Sequence, residues 1–198
     1  MKPLVVANWK SNPATLKEAK LLFEQVKDTG AVICPPNAYL SVLGANGAQD
    51  VSEVSALILK NLGVKYVIVG HSERRKYFKE TNEFINQKLK VALVCGLKPI
   101  LCIDKISQLP ADLDKEVIVA YEPLFAIGTG KPCSLEKAKK MRLAIEKITD
   151  GANKILYGGS VNSKNARNYI YQAGFQGLLV GGASLDSKEF IDIIKNVC

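Results

Sequence analysis

The feature that most restricts how this chain folds is a series of eight short apolar runs separated by amphipathic segments. Most of them are continuous apolar stretches rather than alternations of apolar and polar residues, although the third run is weak. Continuous apolar strands are typical of a parallel sheet that is buried on both faces. The runs occupy residues 3–9, 31–34, 47–50, 65–70, 98–103, 116–121, 154–158 and 177–181.

Helical periodicity appears between most of these runs. Eight strands that alternate with helices predict a (β/α)8 barrel, with a doubly wound open sheet as the alternative. The predicted helices are 13–27, 52–62, 82–94, 134–148, 163–173 and 186–196, with a shorter one near 37–43.

One connection departs from this alternation. The segment DKISQLPADLDK, which follows the fifth run, is too short and too interrupted by proline for a full helix, so we expect the fifth helix to be largely missing. The 198 residues lie at the lower edge of the ~200 that such barrels need. Since no linker or change in composition marks a boundary, residues 1–198 are predicted to form a single domain.

Composition excludes several classes of function. The net charge is +8, but the lysines share amphipathic faces with glutamates and no basic stretch carries aromatic residues, so no nucleic-acid partner is expected. The apolar runs are too short to span a bilayer, and the N-terminus does not resemble a signal peptide, so no membrane partner is expected. Five cysteines without metal-ligand spacing predict reduced thiols, a cytoplasmic location and no metal site.

Reactive side chains follow several of the predicted strands. Asn8 and Lys10 come at the end of the first run, His71 after the fourth and Glu122 after the sixth, while glycine-rich turns follow the seventh and eighth. The carboxyl ends of barrel strands meet at one face, where active sites lie. His71 is the only histidine. Taken singly, each of these residues also has an ordinary structural interpretation.

The chain resembles the triosephosphate isomerase family. The resemblance is carried by ANWKSN, GAQD, YVIVGHSERRKYF, PILCI, AYEPLFAIGTGK, YGGSV and GLLVGGASL, in this order along almost the whole chain. It implies a TIM barrel and an isomerase of glycolysis and gluconeogenesis. That enzyme interconverts dihydroxyacetone phosphate and glyceraldehyde 3-phosphate through an enediolate, without a metal or an organic cofactor.

The resemblance also implies roles for individual residues. Glu122 is the base that moves the proton, and His71, at the start of a helix, is the electrophile that stabilises the developing oxyanion. Asn8 and Lys10 orient the substrate and balance its charge. The phosphate is expected to contact Gly128 in a closing loop, Ser160, Gly181 and Gly182.

Four further residues are expected to support the site without being catalytic. Glu73 is the expected partner of Lys10, and Arg74 belongs to the same supporting shell. Cys102 matches a buried cysteine of the family, although a small core residue is an equally good interpretation. Tyr157 is expected to tie down the closed loop through its hydroxyl.

Three departures from the family stand out. The chain is shorter, and the long third loop that reaches into a neighbouring subunit is missing after GAQD. Phe125 replaces the usual tryptophan of the closing loop, and Asp104 replaces a usual glutamate. We therefore expect a monomer, or an oligomer built on another surface such as the flank left bare by the lost fifth helix.

Two other functions remain open from the sequence. The chain could be a phosphate-binding barrel that no longer turns over and serves as a binding or structural module. It could also be another phosphate-binding barrel enzyme, acting on indole or ribulose phosphates. Retention of Asn8, Lys10, His71 and Glu122 together favours the isomerase, because a binding module gains little from a base aimed at carbon.

Overall fold

Eight parallel strands form the centre of the molecule. In the computed structural model, which describes residues 2–128 and 130–198, the hydrogen-bonded strand order is β2-β1-β8-β7-β6-β5-β4-β3, a nearly closed barrel. This confirms the predicted (β/α)8 fold. The strands are Leu4–Asn8 (β1), Val32–Cys34 (β2), Gly47–Gln49 (β3), Tyr66–Val69 (β4), Lys98–Ile103 (β5), Ile118–Tyr121 (β6), Ile155–Tyr157 (β7) and Gly177–Val180 (β8).

A side chain ties together β2 and β3, the two ends of this order. Asn46 Oδ1 accepts a hydrogen bond from Ile33 N–H at 2.9 Å, and Asn46 Nδ2 donates to Ala31 O at 3.3 Å. At the next position only glycine fits, because a Cβ on Gly47 would lie 2.5 Å from Cys34 Sγ. The amide and the glycine together bring the barrel to near closure.

Helices surround the strands, and several begin at a side-chain cap. Thr15, Ser55, Thr81, Ser134 and Asp186 each accept a hydrogen bond from a backbone N–H of the first helical turn, which otherwise lacks a partner. The helices are Leu16–Val26 (α1), Leu40–Leu43 (α2), Ala56–Asn61 (α3), Ser72–Tyr77 (α4), Asn82–Val94 (α5), Leu135–Ile148 (α6), Ala166–Tyr171 (α7) and Ser187–Val197 (α8).

Three helices, α1, α3 and α7, start three or four residues later than the sequence predicts. Helix α3 starts at Ala56 because Ser55 is its N-cap, with Ser55 Oγ accepting from Ile58 N–H at 3.3 Å. Helix α7 starts at Ala166 because Asn162 Oδ1 accepts from the N–H groups two and three residues later, at 3.1 and 3.0 Å. These side chains compete with the helix for backbone donors and hold a turn instead.

The connection from β5 to β6 confirms the loss of the fifth helix, since its only helical segment is the 3-10 turn Ile106–Gln108 within the fully described residues 104–117. The connection itself fills part of the flank that this helix would cover. Asn153 Nδ2 donates to two carbonyls of this connection, both at 2.8 Å. Half-buried side chains of the connection pack against the core: Ile106, Leu109 and Leu113.

The inside of the barrel is a packed core rather than a channel. Its side chains are at most 8% exposed: Val6, Val32, Cys34, Ile68, Ile100, Cys102, Ile118, Ala120, Leu156 and Leu179. A filled interior leaves the rims as the places where a ligand can bind. Across residues 2–128 and 130–198, no helix is both long and apolar enough to cross a membrane.

Candidate active site

A cavity of about 290 Å³ opens at the carboxyl ends of the strands. The strands carry reactive groups to it because Asn8 ends β1, His71 follows β4 and Glu122 follows β6. All eight residues predicted to be catalytic or to bind phosphate line this one cavity: Asn8, Lys10, His71, Glu122, Gly128, Ser160, Gly181 and Gly182.

The imidazole and the carboxylate face each other. His71 Nε2 lies 3.4 Å from Glu122 Oε1, and the two residues are 1% and 4% exposed. His71 is also the N-cap of α4, because its Nδ1 accepts a hydrogen bond from Glu73 N–H at 3.3 Å. In a neutral imidazole the proton must then sit on Nε2, so the donor points towards Glu122 and the cavity.

Neighbouring strands seat Glu122. Its backbone N–H donates to Ile103 O at the end of β5, at 2.8 Å. On the other side, a Cβ on Gly158 would lie 2.8 Å from Glu122 Cγ, so glycine at this position makes room for the carboxylate. Among the described residues Glu122 Oε2 has no hydrogen-bond partner although it is buried. A buried carboxylate oxygen without a partner is free to accept a proton.

Asn8 and Lys10 form the other wall of the cavity. Lys10 adopts a left-handed backbone conformation with φ 55°, which a non-glycine residue rarely takes, and its N–H donates to Asn8 Oδ1 at 3.1 Å. Within residues 2–128 and 130–198, Asn8 Nδ2 is buried without an acceptor. Lys10 Nζ lies 3.1 Å from Glu73 Oε1. The wall therefore offers an amide donor and a cation.

Glycine turns also line the cavity. The turn after β7 contributes Ser160, and β8 runs into Gly181 and a 3-10 turn, Gly182–Leu185. Ser184 anchors this turn, because its Oγ and its N–H both donate to Gly181 O, at 2.7 and 2.8 Å. Backbone N–H groups with no side chain in front of them suit an anion. Gly128 lines the same cavity, while Thr129 of the predicted closing loop lies outside the described residues.

Comparison with known proteins agrees with this geometry. A family model described as triosephosphate isomerase matches residues 3–197. The chain belongs to the triosephosphate isomerase family. It is 38% identical over 246 residues to the triosephosphate isomerase of Alkaliphilus oremlandii, and 40% identical over 248 residues to that of Fusobacterium nucleatum. Each comparison covers 98% of this chain and 99% of the relative.

The family alignments also show that this chain is shorter than its relatives. They span 246 and 248 positions, more than the 198 residues of this chain, so the relatives carry segments that the chain lacks. As a member of the triosephosphate isomerase family, the chain is an enzyme. Its cavity supplies a cation, an imidazole and a carboxylate. Within residues 2–128 and 130–198, no group of three or more histidine, cysteine, aspartate or glutamate side chains is arranged to hold a metal ion.

The supporting residues lie in different surroundings. Glu73 reaches Lys10, whereas Arg74 does not line the cavity. Arg74 instead joins a buried ion network, with Nη2 2.8 Å from Asp50 Oδ2 and Nε 2.8 Å from Glu80 Oε1. Arg74 therefore ties α4 to the end of β3 and to the start of α5.

Cys102 and Tyr157 are buried beside the cavity rather than exposed in it. Burial, and then the charge of Glu122, raise the pKa of the Cys102 thiol well above its ordinary value, so Cys102 stays protonated. The Tyr157 hydroxyl accepts a hydrogen bond from Cys133 N–H at 3.2 Å, and its ring stacks on Tyr169. Tyr157 thus contacts the chain just beyond the predicted closing loop.

The sequence gives no signal for one residue near the site, Arg75. Arg74 and Arg75 are adjacent and identical in type, and nothing in the sequence separates their roles. In the structure Arg75 is half-buried and donates hydrogen bonds to backbone carbonyls at the ends of β4 and β5. Burial lowers the pKa of Arg75, but an arginine of this kind keeps its charge.

Proposed function

We propose that this chain interconverts dihydroxyacetone phosphate and glyceraldehyde 3-phosphate by proton transfer through an enediolate. The observation that carries the proposal is the 3.4 Å approach of His71 Nε2 to Glu122 Oε1 inside a cavity that Lys10 also lines. Proton transfer next to a carbonyl needs a base near the carbon and a donor near the oxygen.

Glu122 supplies the base. Its carboxylate takes the proton from the carbon next to the carbonyl, and the electrons of that C–H bond form the enediolate. The same carboxyl then returns a proton to the neighbouring carbon, while the proton of the first hydroxyl passes to the former carbonyl oxygen by way of His71 Nε2, so aldehyde and ketone exchange places and both Glu122 and His71 are regenerated. The partnerless Oε2 supports this role, because no described protein group competes for it.

His71, Asn8 and Lys10 stabilise the charge that develops on oxygen. The Nε2–H of His71 donates towards the substrate oxygens, as does the unpaired Nδ2 of Asn8. Donors that are already fixed in position need little rearrangement when the charge appears. Lys10 adds a cation at the same place.

The glycine turns hold the phosphate. Ser160, Gly128 and the backbone around Gly181 and Gly182 line the cavity together with Asn8 and Lys10. A volume of about 290 Å³ leaves room for a three-carbon phosphate.

A coupled assay with glyceraldehyde 3-phosphate tests the proposal. Glu122→Gln keeps the shape but removes the base, so its kcat should fall about 100- to 10,000-fold. Glu116→Gln is the matched control, because this exposed glutamate precedes β6 and lies away from the cavity. Equal rates for Glu122→Gln and the wild type would contradict the isomerase. An inactive wild type that still binds phosphate would favour the binding module.

We also propose that the chain acts as a monomer in the cytoplasm. The connection from β3 to α3 is only residues 50–55, which is too short to reach into a neighbour, and the flank beside β5 is partly filled. The five cysteines are all free, as expected in a reducing compartment. Sedimentation should give the mass of one chain at assay concentrations. A tight dimer would contradict the monomer.

A further inference from the structure

We propose that Arg75 is a positioning residue that sets the spacing between His71 and Glu122 by holding the ends of β4 and β5. The expected loss of kcat rests on the proposed function, whereas the expected shift in the position of His71 does not. Arg75 lies on α4 behind the cavity and does not line it.

The guanidinium makes three hydrogen bonds to three different segments. Arg75 Nε donates to Gly70 O at 2.8 Å, and Nη2 donates to Cys102 O at 3.3 Å. Nη1 donates to Asn82 Oδ1 at 2.8 Å, at the start of α5. Asn82 in turn donates through Nδ2 to Ser107 O at 3.3 Å, which joins the connection after β5 to the same cluster.

Both backbone carbonyls lie beside catalytic positions. Gly70 directly precedes His71. Cys102 directly precedes Ile103, whose carbonyl accepts the hydrogen bond from Glu122 N–H at 2.8 Å. One rigid guanidinium therefore contacts the backbone next to the imidazole and the backbone next to the strand end that seats the carboxylate. A change in either contact would alter the 3.4 Å spacing.

The chemistry of these contacts requires arginine. The three acceptors are neutral, whereas neighbouring Arg74 bonds to the carboxylates of Asp50 and Glu80. Reaching three acceptors at fixed angles depends on the planar fork of a guanidinium, which the single ammonium of lysine does not provide. The two arginines thus serve different purposes: Arg74 holds α4 in an ion network, and Arg75 aligns two strand ends.

The test uses Arg75→Lys and Arg75→Met with two readouts. We expect kcat to fall about 10- to 100-fold with KM almost unchanged, because misalignment affects the proton transfer more than substrate binding. His71 is the only histidine, so ¹⁵N NMR of the imidazole gives one assigned set of signals. Those signals should shift in both variants. Asn82→Ala, which removes one anchor, should produce a smaller change in both readouts.

Two controls separate alignment from general destabilisation. Ile145→Val trims a buried core residue of α6 and should lower stability while kcat and the His71 signals stay unchanged. Lys76→Met alters an exposed neighbour on α4 and should change neither. If Arg75→Met fails to fold, Arg75→Lys and Asn82→Ala still test whether Arg75 sets the spacing between His71 and Glu122.

Unchanged kcat and unchanged His71 signals in folded Arg75→Lys would overturn the proposal, as would an equal kcat loss in Ile145→Val. Failure of the proposed function would give a different result from failure of the Arg75 proposal. The wild type would then be inactive, while the His71 signals would still report whether Arg75 sets the imidazole position.

Discussion

The rim of the barrel carries a full set of functional groups, whereas the connections after β3 and β5 are short. At the rim, an amide, a cation, an imidazole, a carboxylate and two glycine turns meet in one cavity. The two connections are short, with residues 50–55 after β3 and a single 3-10 turn after β5. The relatives carry segments that this chain lacks, yet the groups at the rim are all present.

The difference shows that a barrel connection can be reduced when a few side chains replace its packing. After β5, half-buried Leu109 and Leu113 fill part of the flank that a helix would cover. After β3, Asp50 anchors the short connection through Lys88 and Arg74. Under the proposed function the rim allows no such substitutes, because each of its groups has a distinct chemical role.

The largest expected effect is at the rim, in His71→Gln. This change removes the imidazole donor, and kcat should fall about 1,000-fold, which corresponds to ~4 kcal/mol of barrier. The coupled assay measures it, and the melting temperature serves as the control for folding. A loss smaller than about tenfold would show that the donor at the rim is dispensable, and the contrast with the connections would disappear.

The next effect concerns the network that anchors the short β3 connection. Lys88 Nζ lies 2.8 Å from both carboxylate oxygens of Asp50 and 2.6 Å from Glu80 Oε1, and all three residues are buried. Lys88→Met removes a buried cation from beside the carboxylates of Asp50 and Glu80. It should lower the free energy of unfolding by about 3 kcal/mol. Urea denaturation measures this loss.

Lys90→Met is the matched control on the same helix. Lys90 pairs with Asp112 at the surface, so the loss should stay below about 1 kcal/mol. Equal losses for the two variants would mean that the buried network does not anchor the connection. In folded Lys88→Met, kcat should remain within about twofold of the wild type, since Lys88 does not reach the cavity.

A smaller effect is expected where the β5 connection fills part of the flank. Leu113→Ala should cost about 1.5 kcal/mol of stability, below the values for fully buried leucines, with kcat/KM unchanged. Leu57→Ala, at a residue 61% exposed, should cost less than about 0.5 kcal/mol. If Leu113→Ala costs no more than Leu57→Ala, the connection does not substitute for the missing helix.

The smallest effect belongs to the closing loop. Phe125 is half exposed, and Lys137 Nζ lies 4.3 Å from the centre of its ring. Phe125→Trp keeps an aromatic body and adds an indole donor, so KM should change by about twofold with kcat constant. A change in KM above about tenfold would show that the loop, rather than the rim, limits this enzyme.

The sequence predicted the strands well because a strand buried on both faces must be apolar throughout. It predicted the starts of α3 and α7 less well, since Ser55 and Asn162 hold turns whose competition with a helix depends on local geometry. The partly filled flank was also missed. Leu109 and Leu113 show no regular period, so their packing follows from the folded backbone rather than from a pattern.

The site residues also divide into those that the sequence could identify and those that it could not. Asn8, His71 and Glu122 could be singled out because strand ends of a barrel share one face, and the cavity brings them together with Lys10. Arg74 and Arg75 could not be told apart from the sequence. Adjacent positions on a helix point in different directions, and only the structure shows that one meets carboxylates and the other meets carbonyls.

A crystal structure with a phosphate-bearing enediolate mimic tests the central claim most directly. The account predicts one mimic in each chain, with its enediolate oxygens between His71 Nε2 and Lys10 and its phosphate against Ser160 and Gly182. No residue of a second chain should reach it. A mimic bound away from the Glu122 carboxylate, or held partly by a neighbouring chain, would contradict the account.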